Sequence, residues 1–400
     1  MPTSPHAREV RMLLRSALVL FTFTVVVGIL NGTDLVDFDR KTLLTHVHAG
    51  TLGWITMSVL AATFWLFALG DRPAEGRSYV SMLAIAAPAS ITAYALAFLT
   101  TTGVLRPILG GLVLLTIAAV FVWVLRQLPG RTLSVPHVAV LAAIMMSVIG
   151  AVLGVLLGLR LANGANVVPA TAAEAHPAAM VVGFLVPVGM AFIEWVLDPM
   201  SVTRRAGIAG WLQVGLPFLG GLIAMIGLLL QVTALVSLGI PFEVIGLAIL
   251  IVRLRGPLAA AAGRLADAGP ARHGAMALVF LIVNISLLVY LVVNYFSQEL
   301  APPLNVLLAL DHSIFIGVMT NSILAVITTF RRPVSAVVSH VVFAGLNLGL
   351  IGFLAGLLLD SPLTKEIATP VLGIAILVAI VTHVMALGEA SEVPAGAPAR

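Results

Sequence analysis

The chain returns repeatedly to apolar, almost uncharged runs of about twenty residues, the length at which a helix crosses the hydrocarbon of a bilayer. Twelve such runs can be placed, at roughly 12–30, 43–70, 78–100, 104–127, 135–158, 174–197, 207–230, 235–254, 274–296, 303–330, 334–359 and 366–388. In lipid, a spanning segment must satisfy its own backbone N–H and C=O groups, so runs of this kind read as helices. The expected fold is therefore all-α, a polytopic membrane protein of about twelve transmembrane helices. Only 10% of the residues are charged, against about 25% in a soluble domain. Short connections leave no room for a soluble domain, so residues 1–388 are expected to form a single membrane domain. The weakest division is the barely polar Gln231–Gly239 connection. Residues 389–400, rich in Ala, Pro and Glu, read as a disordered tail.

The charges set an expected orientation. Arg8, Arg11 and Arg15 precede the first run, which is too long for a signal-peptide core and lacks a small-residue cleavage site, so it reads as a retained helix. With the amino terminus inside, sixteen Lys and Arg fall on the inner segments and five (Arg40, Lys41, Arg106, Arg160, Lys365) on the outer ones. That asymmetry predicts a multi-pass protein of the cytoplasmic (inner) membrane with both termini in the cytoplasm. It also accounts for a sequence pI near 10.0 without any nucleic-acid partner. Lipid is the expected surrounding, and self-association is compatible with the pattern.

No cysteine is present. Disulfides, iron–sulfur clusters, thiolate metal sites and covalent c-type haem attachment are thereby excluded. Histidine remains as the natural ligand for a metal or a non-covalent haem. His46 and His48 open the second run, His176 the sixth and His312 the tenth, all near the outer side. The spacing of four runs predicts three four-helix units, approximately 1–130, 131–270 and 271–388. A glycine follows each opening: Gly53 seven after His46, Gly183 seven after His176, Gly317 five after His312. It lets a flat macrocycle or a neighbouring helix approach the backbone. His6, His137 and His273 read as solvated or interfacial. His340 and His383 lie toward the inner side and are placed to meet, as ligands of a second haem, as a quinol site or simply as packed residues. Glu194 and Glu243 read as interfacial carboxylates, with a proton pathway as the alternative.

At His176-Pro177, with Pro187-Val188-Gly189-Met190 beyond, the chain resembles subunit I of the haem–copper oxidase superfamily. The resemblance implies twelve helices in three quasi-equivalent arcs, with metal ligands near the outer side of helices 2, 6, 7 and 10. His46 or His48 matches the low-spin haem ligand of helix 2, and His312 one histidine of helix 10. The departures are specific. The seventh run has no histidine, Ala178 and Met180 replace the Glu and Tyr that follow His-Pro in many oxidases, and Asp311 precedes a single helix 10 histidine. His176 alone cannot complete a three-histidine copper centre. The chain is therefore more similar to reduced, single-subunit relatives such as NnrS-type haem membrane proteins. That likeness implies haem b, one or two per chain, a redox partner or quinol, and roles in electron transfer or nitric-oxide handling rather than oxygen reduction. If the chain is an enzyme, the likeness implies an oxidoreductase.

Residues two apart on a helix point about 200° apart, so His46 and His48 face different neighbours. The expected pairs are His46 with His312 and His48 with His176. Arg106 and Arg160 are candidate partners for haem propionates, or interfacial arginines that snorkel. Asp311 either orients a histidine or caps its helix. Two other functions share these residues: a proton or metal-ion transporter using the intramembrane histidines, and a metal-free assembly subunit that keeps only the fold.

Overall fold

The computed structural model describes residues 4–68 and 76–388; the tail from 389 lies outside the described residues. Among the described residues there are no strands, and twelve helices are long and apolar enough to cross a membrane. They are α1 (Ala7–Gly32), α2 (Arg40–Leu66), α3 (Arg77–Thr100), α4 (Leu105–Gln127), α5 (Val135–Asn163), α6 (Ala172–Leu197), α7 (Ile208–Leu230), α8 (Thr233–Ala262), α9 (Ala271–Gln298), α10 (Leu304–Ile327), α11 (Ala336–Leu358) and α12 (Pro362–Gly388). The chain is an all-α polytopic membrane protein. The doubtful division resolves into a two-residue join, with Gln231 in the left-handed region at φ 56°. Helix α8 runs beyond the hydropathy boundary near 254, because Arg253 and Arg255 end an apolar run without opposing a helix.

Three helices sit inside the other nine. In the most apolar stretch of α2, α6 and α10, 83%, 89% and 78% of residues are buried, and no other helix exceeds 50%. Each inner helix widens into a π-helical run, at Ala49–Thr56, Ala179–Leu185 and Ser313–Thr320. Gly53, Gly183 and Gly317 each occupy the fifth position of their run. An outer helix uses each of them: a Cβ would lie 3.1 Å from Leu20 of α1 at Gly53, 2.6 Å from Met146 of α5 at Gly183, and against the Phe280 ring of α9 at Gly317. A neighbouring helix therefore fills the space that each glycine opens. Threonine hydroxyls brace two of the runs, Thr56 on the Thr51 carbonyl and Thr320 on the Phe315 carbonyl, each five residues back.

Helix α7 approaches α6 even more closely. A Cβ on Gly221 would lie 2.6 Å from the Gly183 backbone nitrogen, where no rotamer change can relieve it. Gly221→Ala is therefore expected to destabilise the bundle by about 1–3 kcal/mol, read as a lower denaturant midpoint in detergent. Wild-type stability in that variant would contradict the packing.

At the end opposite the histidine pairs, Trp65, Trp195 and Phe330 close the centre. Their ring centroids are 4.7 Å apart for Trp65–Trp195, 5.7 Å for Trp65–Phe330 and 6.4 Å for Trp195–Phe330. Midway, Trp54 stacks on Phe21 and its indole N–H donates to the Thr320 hydroxyl at 3.0 Å, tying α1, α2 and α10 together.

Several polar residues are deeper than their sequence positions imply. His137 is buried, donating or accepting at Ser134 and reaching the Leu66 carbonyl at 2.9 Å, while Arg131 donates to the Phe67 carbonyl. Together they satisfy the orphan carbonyls at the end of α2. Glu194 is buried and paired with Arg253 at 2.7 Å. Glu243 is buried with neither carboxyl oxygen partnered, beside Gly220 of α7. Both carboxylates, expected at the interface, are covered by protein. His6, just ahead of α1, is buried against Trp123 with Nδ1 unpartnered. Burial holds its pKa below the ordinary value, with Glu9 partly opposing. Its contribution to stability is complete above about pH 6.5 and falls away as the pH drops through the folded value. The protection factor of the amides at the start of α1, taken against the intrinsic exchange rate at each pH, is expected to fall as the pH drops from 7 to 5, and His6→Phe to remove that dependence; an unchanged protection factor would contradict it.

Candidate functional site

The inner helices bring four histidines together at the end where α2, α6 and α10 begin. The π runs supply a common register. His48 and His312 are each the last residue before the run, as Ala178 is in α6. His46 and His176 stand two residues earlier, and Leu310 takes that place in α10. Helix α2 thus carries histidine at both places, α6 only at the first and α10 only at the second.

These places pair across the bundle. His46 and His312 are close enough for a charge on one to act on the other, and so are His48 and His176. Each pair joins the first place of one inner helix to the second place of another. The same rule leaves Leu310 and Ala178 for the third combination, and no histidine is there.

Two glycines complete the pattern. Gly28 of α1 faces His46, where a Cβ would lie 3.3 Å from the ring, and Gly154 of α5 faces His176, where it would lie 2.9 Å away. Each stands eight residues after the side chain that fills the π-run glycine, Leu20 or Met146. The corresponding residue of α9 is Leu288, which packs into the apolar cluster that holds Leu310. Histidine with glycine in two units is matched by leucine with leucine in the third. Nothing in the sequence reading singled out Gly28 or Gly154.

Three of the four rings are held alike. Nδ1 of His48 donates to the Leu44 carbonyl at 2.7 Å, that of His312 to Leu308 at 2.7 Å and that of His176 to Gly150 at 2.8 Å. A carbonyl cannot donate, so these contacts place the proton on Nδ1 and leave a lone pair on Nε2. A ligating histidine is held in this way by a carbonyl on its far nitrogen. His46 differs: its Nδ1 is buried without a partner, and its ring lies against the Thr24 backbone of α1. All four rings are half-buried. His48 stacks on Phe98 at 4.2 Å and meets the edge of Tyr94; His312 lies 4.8 Å from the Phe353 ring.

The two arginines diverge. Arg106 donates to the Phe98 carbonyl at 2.7 Å, lies over the Phe98 ring and acts electrostatically on His48. Arg160 is tied to its own loop through Asn166 and the Val168 carbonyl, away from the histidines. Asp311 does neither of the things its position offers. Helix α10 begins at Leu304 after Pro303, seven residues earlier, and Asp311 makes no hydrogen bond to a histidine.

At the opposite end, His340 and His383 do not form a pair. His340 accepts from Arg272 at 2.8 Å on the surface, whereas His383 is buried near His273 and Arg331. His273 is buried too, and donates to Asn321, whose amide is fixed by Gly317 and Asn347. Among the described residues no three His, Asp or Glu side chains converge as a metal site. No protein-family model matches the chain, and no curated protein matches it in sequence.

Proposed function

We propose that the chain is an integral-membrane haem-binding protein that holds haem b between histidine pairs and uses it for electron transfer. One bis-histidine site is His46 with His312; the second is His48 with His176. The observation that carries this reading is the pairing of each first-place histidine with a facing glycine, set against the leucines of the third unit. The glycines let each imidazole lie directly against the facing outer helix, where a Cβ would press on the ring. The residues fit such a group: three Nε2 lone pairs set by Nδ1 hydrogen bonds, one orphan buried nitrogen, and aromatic walls.

When bound, haem with two imidazole ligands supplies one-electron redox chemistry. The protein's own residues fix the rings, and Arg106 offers a cation beside the His48 pair for a propionate. Two histidines per site leave no position open, so nitric-oxide handling would need one of them to leave. The three four-helix units are proposed to be structural repeats, with the histidine end outward and both termini in the cytoplasm, as the sixteen-to-five charge asymmetry favours. An absorption spectrum of protein purified from haem-replete cells tests the function. A Soret band with sharp α-bands on reduction is expected; a colourless protein would rule it out.

A further inference from the structure

Between α1, α3 and α12, at the end away from the histidine pairs, runs a groove of about 670 Å3. Ligand-binding pockets are of order 300–1,000 Å3, so the groove has room for a bound organic ligand. Along α1 its wall is one helical stripe, Arg8, Arg11, Arg15 and then Val19. Seven residues of helix carry the three guanidinium groups over roughly 10 Å, after which the stripe is apolar. Pro88 continues the apolar wall on α3, while Gly388 at the end of α12 lies beside Arg15. Among the described residues no carboxylate lines the groove, and the acid nearest in sequence, Glu9, is buried elsewhere with the Ser81 hydroxyl on its Oε1 at 2.6 Å. None of the three arginines makes a hydrogen bond or ion pair among the described residues.

We infer that this groove binds an anionic phospholipid, its phosphate on Arg8, Arg11 and Arg15 and an acyl chain along the apolar wall beyond Val19. The order cation-then-apolar along one stripe is the order headgroup-then-chain of the ligand. Basic pockets between transmembrane helices recognise anionic headgroups by this chemistry. The inference stands apart from haem binding, because no residue of the groove belongs to either histidine pair.

Native mass spectrometry of the full chain in detergent, titrated with phosphatidylglycerol, phosphatidylcholine or inorganic phosphate, tests it. Phosphatidylglycerol is expected to bind one per chain, and neither of the other two to displace it. Arg8→Gln/Arg11→Gln/Arg15→Gln is expected to weaken that binding roughly a hundredfold, at about 1 kcal/mol per arginine. Because those arginines also bear on topology, Thr92→Trp, which keeps them and fills the groove, is the second variant and is expected to lose binding as well. Wild-type affinity in Thr92→Trp, equal retention of phosphatidylcholine, or displacement by phosphate would overturn the inference. So would a chain ending at Gly388 that binds phosphatidylglycerol where the full chain does not, since residues 389–400 would then be the occupant.

Discussion

His312→Ala is expected to remove one haem from the protein and leave the other. The pairs share only helix α2, and there the two histidines face different neighbours. Losing His312 leaves His46 with no second imidazole, while His48, held by Leu44 and stacked on Phe98, keeps its setting. His176→Ala is expected to remove the other haem. Haem content per chain should fall by half in each single variant and to near zero in the double. Helix α10 should still form in His312→Ala, because the Trp54–Thr320 hydrogen bond that anchors it lies a full π run away. Gly154→Ala is expected to resemble His176→Ala, since a Cβ there would sit 2.9 Å from the His176 ring. Equal, partial loss of both haems in every variant would contradict two independent sites.

Arg253→Ala is expected to destabilise the bundle by about 3–5 kcal/mol, the range for stripping one partner from a buried ion pair. Glu194 is 2% exposed, and its two oxygens accept from both terminal nitrogens of Arg253 at 2.7 and 2.8 Å. Gln213 donates to the same carboxylate at 3.0 Å and receives Arg253 on its carbonyl oxygen. The single substitution strands a buried charge with one neutral donor. Arg253→Met together with Glu194→Met removes both charges and is expected to cost far less, because a well-packed apolar pair avoids the desolvation penalty. Denaturant midpoints of the three proteins measure the difference. A double variant as unstable as Arg253→Ala would show that packing, not the stranded charge, sets the cost.

Hydropathy was enough to place the twelve helices, because lipid demands a continuous apolar run wherever the chain crosses. It did not show which helices lie inside. The two least hydropathic spans, α2 and α10 at 1.4 and 1.5, are among the three most buried. In a soluble protein that relation is reversed. In a bilayer, an outer helix must be apolar toward lipid, whereas an inner helix can carry His46, Thr56, Asn321 and their partners. The low hydropathy of those spans was therefore a readable sign of their place. The π runs had no such sign; they arise where α1, α5 and α9 press side chains onto Gly53, Gly183 and Gly317, a contact between distant residues. The same limit hid the surroundings of His137, His273 and Glu243. Each stands near a charge or a turn in sequence, yet the fold covers it.

The central claim is that two sites on one chain each use two imidazoles. Low-temperature electron paramagnetic resonance of the oxidised protein, with haem and chain quantified in the same sample, tests it most directly. Two low-spin, bis-imidazole haems per chain are predicted, one signal vanishing in His312→Ala and the other in His176→Ala. A single haem whose signal survives both substitutions, or high-spin iron with an open position, would contradict it.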